Sequence, residues 1–379
     1  MSDFFPKPTF SWHAGFLLLL IVAFSSTLAT LQAVYLVLAF AVVFVRFDAF
    51  HTATTLERGL IGTLLLTVAV LLPLSALRSP AAVAHFLVTV ASVGAAFVMT
   101  RSRELYLEAS RLSLLLVQGG VFAYLFVVGF ANFPLEGMIL ESSSNGITSY
   151  MIILQANFSA FNFILRRRGT PLTAILTLII CIVGWGRGSI LAAMAILVIN
   201  LLSYISWRSH FSGIVRLVIG LTAVLAVTLA FIDDIGLYLE ANTKLGGGLY
   251  DEARERIITE YFNKLDLLTL FSGADYGGTS IETDFRGNPH NSFIRGHHVF
   301  GLLYLLALML FPLSLLFVRQ ALSVKLFCAG MLLVVLFRAS TEPVLFPTIF
   351  DFYFFAFCFG LTYRADFQGA RPGPEGVHG

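Results

Sequence analysis

Charged residues are scarce in this chain. Only 12% of its 379 residues are Asp, Glu, Lys or Arg, whereas 58% are hydrophobic. A typical soluble domain has about 25% charged residues, so the composition excludes an ordinary water-soluble globule. The formal net charge of +2 is also too small to indicate a nucleic-acid partner.

Cysteine is scarce as well. The chain has three cysteines, Cys181, Cys328 and Cys358, and each lies inside an apolar run. This number excludes a disulfide framework, and no two cysteines have the spacing of a zinc site. We expect all three to be small buried hydrophobic residues.

Apolar runs are abundant by contrast, and a run of about 20 residues is long enough to cross a bilayer. They predict an all-α polytopic membrane protein, with a single integral membrane domain over residues 1–379 and about 12 transmembrane helices. One long polar loop, residues 233–297, separates two of the runs. The predicted spans are 11–30, 31–46, 60–77, 80–100, 112–131, 148–165, 171–186, 188–206, 214–232, 298–318, 322–337 and 346–363.

Lys and Arg indicate the orientation, because they favour the cytoplasmic side of a membrane. Placing the N-terminus in the cytoplasm also places most of the 24 Lys and Arg residues there, including those of 101–111 and 166–168. Both termini are then cytoplasmic, and the polar loop lies outside together with Arg187. The Gly- and Pro-rich tail 364–379 is predicted to be disordered.

Charge that is rare elsewhere is concentrated in the polar loop, where we expect the chemistry of the protein to be carried out. Part of this loop also has apolar residues at helical spacing, which predicts an amphipathic helix along the membrane surface. The apolar residues of this helix are Ile257, Ile258, Tyr261, Phe262 and Leu265.

Three outer arginines are candidates for binding an anionic ligand. Arg187 lies between glycines at the end of a span. Its guanidinium group either extends to the lipid headgroups or binds a phosphate through several N–H donors that lie in one plane. Arg254 and Arg256 stand at the start of the predicted surface helix. Arg256 is four residues from both Glu252 and Glu260, and pairs at this spacing also occur on an ordinary solvated helix face.

His290, in the sequence NPHNSF, is the candidate general base. A histidine in a loop is often only a polar surface residue. Here the positive charges of Arg286 and Arg295 disfavour a charged imidazole, which leaves a neutral base able to take a proton from a hydroxyl. Arg286, Arg295 and Asn291 are expected to line the site. Arg256 is favoured over Arg254 as the phosphate ligand because it shares the outer loop with His290.

A metal site is not expected. His290, His297 and His298 do not have the spacing of a zinc site, and the chain contains no HExxH motif. Arg338 and Glu342 stand four residues apart near the end of a span, and we expect them to pair, since ionised groups near lipid usually do. Arg338 is a further candidate for lining the site.

Three stretches together resemble the O-antigen ligase and O-antigen polymerase superfamily. They are WGRGSILAAMAILVI, then LFSGADYGG after the arginine-bearing helix, and PHNSFIRGHHVFGLLYLLALML. The resemblance covers about residues 180–320, and the first six spans agree with the family only in number.

The resemblance implies an inverting, metal-independent glycosyltransferase of the GT-C type in a bacterial inner (cytoplasmic) membrane. Such an enzyme takes an undecaprenyl-diphosphate-linked glycan as donor at the periplasmic face and needs no cofactor. By matching motif positions, His290 would be the catalytic base, and Arg187 with Arg256 or Arg254 would bind the diphosphate of the donor.

The family resemblance leaves the acceptor open. A polymerase of O-antigen, capsule or exopolysaccharide transfers to another lipid-linked repeat, with a chain-length regulator protein as a further partner. A ligase transfers to the lipid A core of lipopolysaccharide. The compact outer loop and the absence of a second histidine beside His290 favour a polymerase.

A polysaccharide-lipid transporter is the alternative from another class, and a non-catalytic assembly subunit is a third. A transporter typically has ionisable residues in mid-span, near broken helices. His13 and His85 are the main polar residues within the predicted spans, and the sequence offers neither of them an evident partner.

Overall fold

Helices make up all regular secondary structure in the residues that the computed structural model describes, which are 9–25, 29–129, 134–139, 143–208 and 252–362. Two short 3-10 helices, Phe47–Thr52 and Ser314–Leu316, accompany the α-helices. The α-helices are α1 Phe10–Ser25, α2 Ala29–Val45, α3 Thr55–Arg78, α4 Ala81–Met99, α5 Arg103–Val128, α6 Ser144–Arg166, α7 Pro171–Val183, α8 Arg187–Arg208, α9 Glu252–Asn263, α10 Leu267–Ser272, α11 Ser280–Thr283, α12 Ser292–Leu313, α13 Leu322–Thr341 and α14 Asp351–Thr362.

Seven of these helices are long and apolar enough to cross a membrane, namely α3, α4, α5, α6, α8, α12 and α13. The shorter apolar helices α1, α2, α7 and α14 accompany them. The predicted fold class, a polytopic helical membrane protein, is therefore confirmed, whereas the number of twelve spans stays a prediction. The predicted span 214–232, the polar-loop residues 233–251 and the tail 364–379 lie outside the described residues.

The helix that was predicted to begin at residue 298 begins at Ser292 instead. The side chain of Asn291 accepts hydrogen bonds from the backbone N–H groups two and three residues further on, at 2.8 and 3.1 Å, and so caps the helix. The helix therefore starts six residues earlier than predicted, while the end of the polar loop at residue 297 stays a prediction. Hydropathy missed the first turns of α12 because they contain an arginine and two histidines.

The last predicted span also has a different start, since α14 begins at Asp351 and not at residue 346. The carboxylate of Asp351 accepts hydrogen bonds from the backbone N–H groups of Phe346 and Thr348, at 2.8 and 3.1 Å. The turn before α14 contains a cis peptide bond between Phe346 and Pro347. A turn that is held by the Asp351 carboxylate thus replaces the first part of the predicted span.

Helix α12 is broken at Gly301, whose φ of 77° lies in the left-handed region that favours glycine. Helix α10 packs against this break, and a Cβ at position 301 would overlap the carbonyl oxygen of Phe271. Arg78, the last residue of α3, donates to the backbone carbonyl oxygens at the end of α10 and to that of Val299. One guanidinium therefore satisfies carbonyl groups that the end of α10 and the break leave without helical partners.

The helices alternate between two ends of the bundle. At one end, buried Glu57 of α3 lies 2.7 Å from Arg101, which follows α4, and accepts a hydrogen bond from Thr362 of α14 at 2.8 Å. Arg166 at the end of α6 pairs with Glu108 of α5 at the same end. The opposite end carries α9, α10 and α11 together with the starts of α8 and α12, and we call it the site end. That the site end is periplasmic stays a prediction.

Polar side chains join the central helices. Thr177 of α7 accepts a hydrogen bond from Gln118 of α5 at 2.9 Å and donates one to Gln155 of α6 at 3.2 Å. Asn200 of α8 donates to Ser159 of α6 at 3.3 Å. Side-chain hydrogen bonds of this kind hold helices together in apolar surroundings. They fix α8, whose first residue is Arg187, relative to the rest of the bundle.

Candidate functional site

Helices α9, α10 and α11 form a small layer on the site end. Ile257 and Tyr261 of α9 are each 1% exposed, and with Ala274, Ile281 and Ile294 they form a hydrophobic cluster. The helix predicted in the polar loop is therefore present as α9, and part of its apolar face packs on the protein. Two other apolar residues of the helix remain exposed, Ile258 at 41% and Phe262 at 59%. Its position at a membrane surface stays a prediction.

Two arginines share one carboxylate at the site end. Arg338, which is 1% exposed, lies 3.7 Å from Oε1 of Glu342, and Arg254 lies 3.2 Å from the same oxygen. Arg338 also donates to Thr341 Oγ1 at 2.6 Å and to the carbonyl oxygen of Asn145 at 3.3 Å. The predicted pairing of Arg338 with Glu342 is confirmed, and the sequence did not predict the contribution of Arg254. We call Arg254, Arg338 and Glu342 the cation cluster, because two positive charges meet one negative charge there.

Arg187 begins α8 beside this cluster. The next residue is Gly188, and a Cβ at that position would lie 3.1 Å from Nη1 of Arg338. On the other side of Arg187, a Cβ at Gly186 would overlap Oδ1 of Asn145. The glycines that flank Arg187 therefore allow the start of α8 to approach the buried guanidinium of Arg338. The role of Arg187 as a diphosphate ligand stays a prediction.

Arg256 lies apart from the cation cluster. Its Nη2 is 2.7 Å from Oδ2 of Asp284, and both side chains are about half exposed, at 51% and 46%. The helical spacing offered Glu252 and Glu260 as partners of Arg256, whereas the carboxylate that forms an ion pair with it in the described structure is that of Asp284. Glu260 instead accepts a hydrogen bond from the backbone N–H of Ser280 at 2.6 Å, which lowers the pKa of this carboxyl group. Of the two candidate arginines on α9, Arg254 is the one that the fold brings to the cluster.

His290 stands in a strained turn directly before α12. Its φ is 48°, in the left-handed region, and its backbone N–H donates to Oδ1 of Asn288 at 2.9 Å. The imidazole meets the ring of Phe285 edge to face, with 5.3 Å between the ring centroids. Arg286 is exposed, and its φ of 51° lies in the same region. The backbone of this turn is therefore closely determined, as it commonly is at functional sites.

The turn of His290 is tied to the backbone of the cation cluster. Ser292, the first residue of α12, donates to the carbonyl oxygen of Glu342 at 2.6 Å and accepts a hydrogen bond from the backbone N–H of Leu345 at 3.0 Å. Arg295, one turn further along α12, donates to the carbonyl oxygen of Pro343 at 2.6 Å. These bonds place the start of α12 against the loop that carries Glu342.

An apolar groove of about 210 Å³ lies between α9, α10 and α12. Residues four apart lie on one face of a helix, so Arg254 stands one turn before Ile258, which lines the groove. Asn291, next to His290, lines it as well. The groove therefore begins beside the cation cluster and the histidine turn. Its lining residues are Ile258, Tyr261, Phe262, Leu265, Leu270, Asn291, Phe293, Ile294, His297, Leu302 and Leu305.

A larger and more polar cavity, of about 480 Å³, lies on the other side of α12, and we call it the chamber. Gly287, three residues before His290, lines the chamber. Sequence reasoning did not identify this cavity, although it singled out His85 as a polar residue within a span. The polar residues that line the chamber are Gln32, Ser75, Arg78, Ser79, His85, Asp275, Tyr276, Arg295, His298 and Thr348.

His297 and His298 point to different partners. Nε2 of His297 donates to the carbonyl oxygen of Leu270 at 2.8 Å, and its Nδ1 lies 2.7 Å from the hydroxyl of Tyr261. Nδ1 of His298 lies 2.7 Å from the carbonyl oxygen of Ala274. Within the residues that the structure describes, no three His, Cys, Asp or Glu side chains are grouped so that they could hold a metal ion. The cysteines Cys181, Cys328 and Cys358 are buried, as expected.

The site end thus combines three features around one turn of chain. An apolar groove can hold a hydrocarbon chain, and the cation cluster can stabilise an anion. His290 lies in the turn between Gly287, which lines the chamber, and Asn291, which lines the groove. No family model, no curated protein and no solved structure matches the chain.

Proposed function

We propose that this protein is a membrane glycosyltransferase that takes an undecaprenyl-diphosphate-linked glycan as donor and polymerises surface polysaccharide at the periplasmic face. One observation carries the proposal. The apolar groove along α9 and α12 begins one helical turn from Arg254 of the cation cluster. A ligand that fits both parts has a long hydrocarbon chain and an anionic head.

The cation cluster suits the diphosphate of such a donor. Arg254 and Arg338 both contact the carboxylate of Glu342, so two guanidinium groups lie close together at the site end. Guanidinium groups bind phosphate oxygens with two parallel hydrogen bonds, which a lysine cannot provide. Arg187 adds a third guanidinium at the start of α8. The geometry supports Arg254 over Arg256 as the ligand from α9, because Arg256 pairs with Asp284 instead.

The proposed reaction is a displacement at the anomeric carbon of the donor sugar. His290 takes the proton from a hydroxyl of the acceptor, and the hydroxyl oxygen forms the new bond to the anomeric carbon. The bond between that carbon and the diphosphate oxygen breaks, and its electron pair leaves with the diphosphate. The arginines stabilise the negative charge that develops on the leaving group. Attack from the opposite face inverts the anomeric centre.

His290→Ala tests the proposal in cells. We expect the variant to insert into the membrane and accumulate normally, while long-chain surface polysaccharide is lost. The matched control is His51→Ala, which changes an exposed histidine at the opposite end of the bundle and should leave the polysaccharide unchanged. Normal polysaccharide in the His290→Ala strain would refute the proposed function.

The length of glycan in a deletion strain separates polymerase from ligase. A strain without the polymerase retains single repeats capped onto their acceptor. A strain without the ligase retains long polymer on its isoprenoid carrier. We propose the polymerase, and polymer that stays on the carrier would assign the ligase activity instead.

A polysaccharide-lipid transporter is the second candidate, and the break of α12 at Gly301 favours it. Broken helices are common at the binding sites of transporters. The His290→Ala strain separates the two candidates, because a transporter has no need of a base at this position. Lipid-linked repeats that remain on the cytoplasmic side of the membrane in a deletion strain would identify a transporter.

A further inference from the structure

The chamber, on the side of α12 away from the groove, is lined by hydroxyl groups that have no hydrogen-bond partner within the described part of the chain. Ser75, which is 2% exposed, and Tyr276 both line the chamber. The hydroxyl of each is buried and forms no hydrogen bond within the described part of the chain. A buried hydroxyl without a partner is costly, and it is usually satisfied by water or a ligand. Two such hydroxyls in one cavity indicate a site for a hydroxyl-rich molecule.

The chamber also has excess positive charge. Arg78 and Arg295 both line it, and neither guanidinium lies within ion-pairing distance of a carboxylate of the described residues. Both donate to backbone carbonyl oxygens instead, Arg78 at the end of α10 and Arg295 at Pro343. Charged groups in a partly enclosed cavity are costly unless an opposite charge neutralises them. An anionic group on the ligand would supply that charge.

Two carboxylates interact electrostatically with these arginines, and each also has hydrogen bonds of its own. Asp275 lines the chamber but accepts a hydrogen bond from Lys264, which lowers the pKa of the Asp275 carboxyl group. Asp351 accepts two backbone N–H groups in the turn before α14. The charge of Asp351 still acts on Arg295, and that of Asp275 acts on Arg78. With Lys264, three cations face these two carboxylates, so one positive charge stays in excess among the described residues.

Rings and size further define the ligand. The imidazole of His298 stacks on the ring of Tyr276 with 3.9 Å between centroids and 17° between planes, and His85 adds a second imidazole to the lining. Such rings combine an apolar surface with polar edges, which suits the mixed surface of a sugar. The volume of about 480 Å³ is in the range of small-molecule sites, roughly 300–1,000 Å³.

We infer that the chamber binds the acceptor, as a sugar residue that carries a carboxylate or another anionic group. This inference rests on the proposed function, and it assigns the donor and the acceptor to opposite sides of α12. The donor chain lies in the groove beside Asn291, and the acceptor enters from the chamber beside Gly287. The turn between these two residues carries His290, which on this assignment takes the proton from the acceptor hydroxyl.

Binding to the purified full-length protein in lipid nanodiscs tests the inference. The probes are radiolabelled methyl glycosides of glucuronic, galacturonic and N-acetylneuraminic acid, with methyl glucoside and inorganic phosphate as competitors. We expect at least one acidic glycoside to bind saturably, and roughly tenfold more tightly than methyl glucoside, because a charged hydrogen bond is lost in the neutral sugar. Binding of none of the acidic glycosides would overturn the inference. Phosphate that competes as well as the acidic sugar would also overturn it, by showing an anion site only.

Two variants locate the binding in the chamber. Tyr276→Phe and Ser75→Ala remove only hydroxyls that have no hydrogen-bond partner among the described residues, so both proteins should remain folded. Each is expected to weaken binding of the acidic glycoside by about fivefold, the effect of one neutral hydrogen bond. The matched controls are Tyr353→Phe and Ser113→Ala, which remove buried hydroxyls outside the chamber that have no hydrogen-bond partner among the described residues, and both should bind normally. Unchanged binding by both chamber variants would place the site elsewhere and overturn the inference.

The test also distinguishes the inference from the proposed function, because binding requires no glycosyl transfer. If the acidic glycoside binds in the chamber but His290→Ala strains still make long polysaccharide, the proposed function fails and the chamber site stands. If His290→Ala abolishes polysaccharide but no acidic glycoside binds, the proposed function stands and the inference fails.

Discussion

The guanidinium of Arg254 lies 3.2 Å from Oε1 of Glu342, and this contact joins the outer layer of helices to the membrane bundle. The same oxygen is 3.7 Å from the buried guanidinium of Arg338. One carboxylate therefore holds two arginines from different helices beside the start of α8. The arrangement predicts distinct effects for each of its members.

Glu342→Gln is expected to destabilise the protein. The substitution leaves the guanidinium of Arg338 buried without a carboxylate, and loss of one member of a buried ion pair costs about 3–5 kcal/mol. The side chains of Arg338 and Glu342 are 1% and 5% exposed, so solvent screens this pair little. The matched control is Glu108→Gln, in a pair with Arg166 whose side chains are 38% and 41% exposed, where we expect less than about 1 kcal/mol. Denaturant unfolding in detergent measures both, and equal losses would contradict a buried role for Glu342.

Arg254→Ala and Arg256→Ala form a second matched pair, since both change an arginine at the start of α9. We expect Arg254→Ala to lower the transfer rate of the purified enzyme by at least about tenfold, because a charged hydrogen bond to the diphosphate is worth about 1.5–3 kcal/mol. Arg256→Ala should stay within about twofold of the wild type, because Arg256 pairs with exposed Asp284. If Arg256→Ala lowers the transfer rate more than Arg254→Ala does, the diphosphate ligand on α9 is Arg256 and not Arg254.

Gly301→Ala is expected to destabilise the protein by at least about 2 kcal/mol. The φ of 77° is unfavourable for alanine, and the added Cβ would overlap the carbonyl oxygen of Phe271. Gly120→Ala, in α5, is the control, because a Cβ there meets no atom within 4 Å and alanine favours a helix. We expect the control to be neutral or slightly more stable in thermal unfolding. A neutral Gly301→Ala variant would show that α12 is not broken at this position.

Tyr276→Phe and Tyr261→Phe should shift stability in opposite directions. The hydroxyl of Tyr276 is buried and has no hydrogen-bond partner in the part of the chain that the structure describes, so its removal should raise the free energy of unfolding of the unliganded protein by roughly 1 kcal/mol. The hydroxyl of Tyr261 lies 2.7 Å from Nδ1 of His297, so its removal should lower that free energy by about 1 kcal/mol. Thermal unfolding without ligand measures both. A destabilised Tyr276→Phe variant would mean that this hydroxyl has a partner in the fold.

Hydropathy was sufficient to predict the fold class, because long apolar runs leave a chain few alternatives to membrane helices. It failed where a helix begins with polar residues. The first turns of α12 contain Arg295 and His297, and only the cap formed by Asn291 marks the start of the helix. Sequence spacing cannot show that the side chains of Arg295, His297 and His298 form hydrogen bonds within the fold.

The candidate site was predictable in part for a similar reason. Arg338 and Glu342 lie one helical turn apart, so local spacing predicted their contact. The contribution of Arg254 depends on a contact between distant parts of the chain, and local spacing gives no information about it. The same holds for the chamber, where Ser75 and Tyr276 are brought together only by the packing of α3 against α10 and α12.

Photo-crosslinking of an isoprenoid diphosphate to the purified protein tests the proposed donor site without reference to turnover. With a photoreactive group in the isoprenoid chain, we expect mass spectrometry to find labelled residues in the groove, at Ile258, Phe262, Leu302 and Leu305. Arg254→Ala should reduce this labelling, whereas Arg256→Ala should not. Labelling that falls only outside the groove, or that is equally strong in the Arg254→Ala protein, would contradict a donor site formed by the groove and the cation cluster.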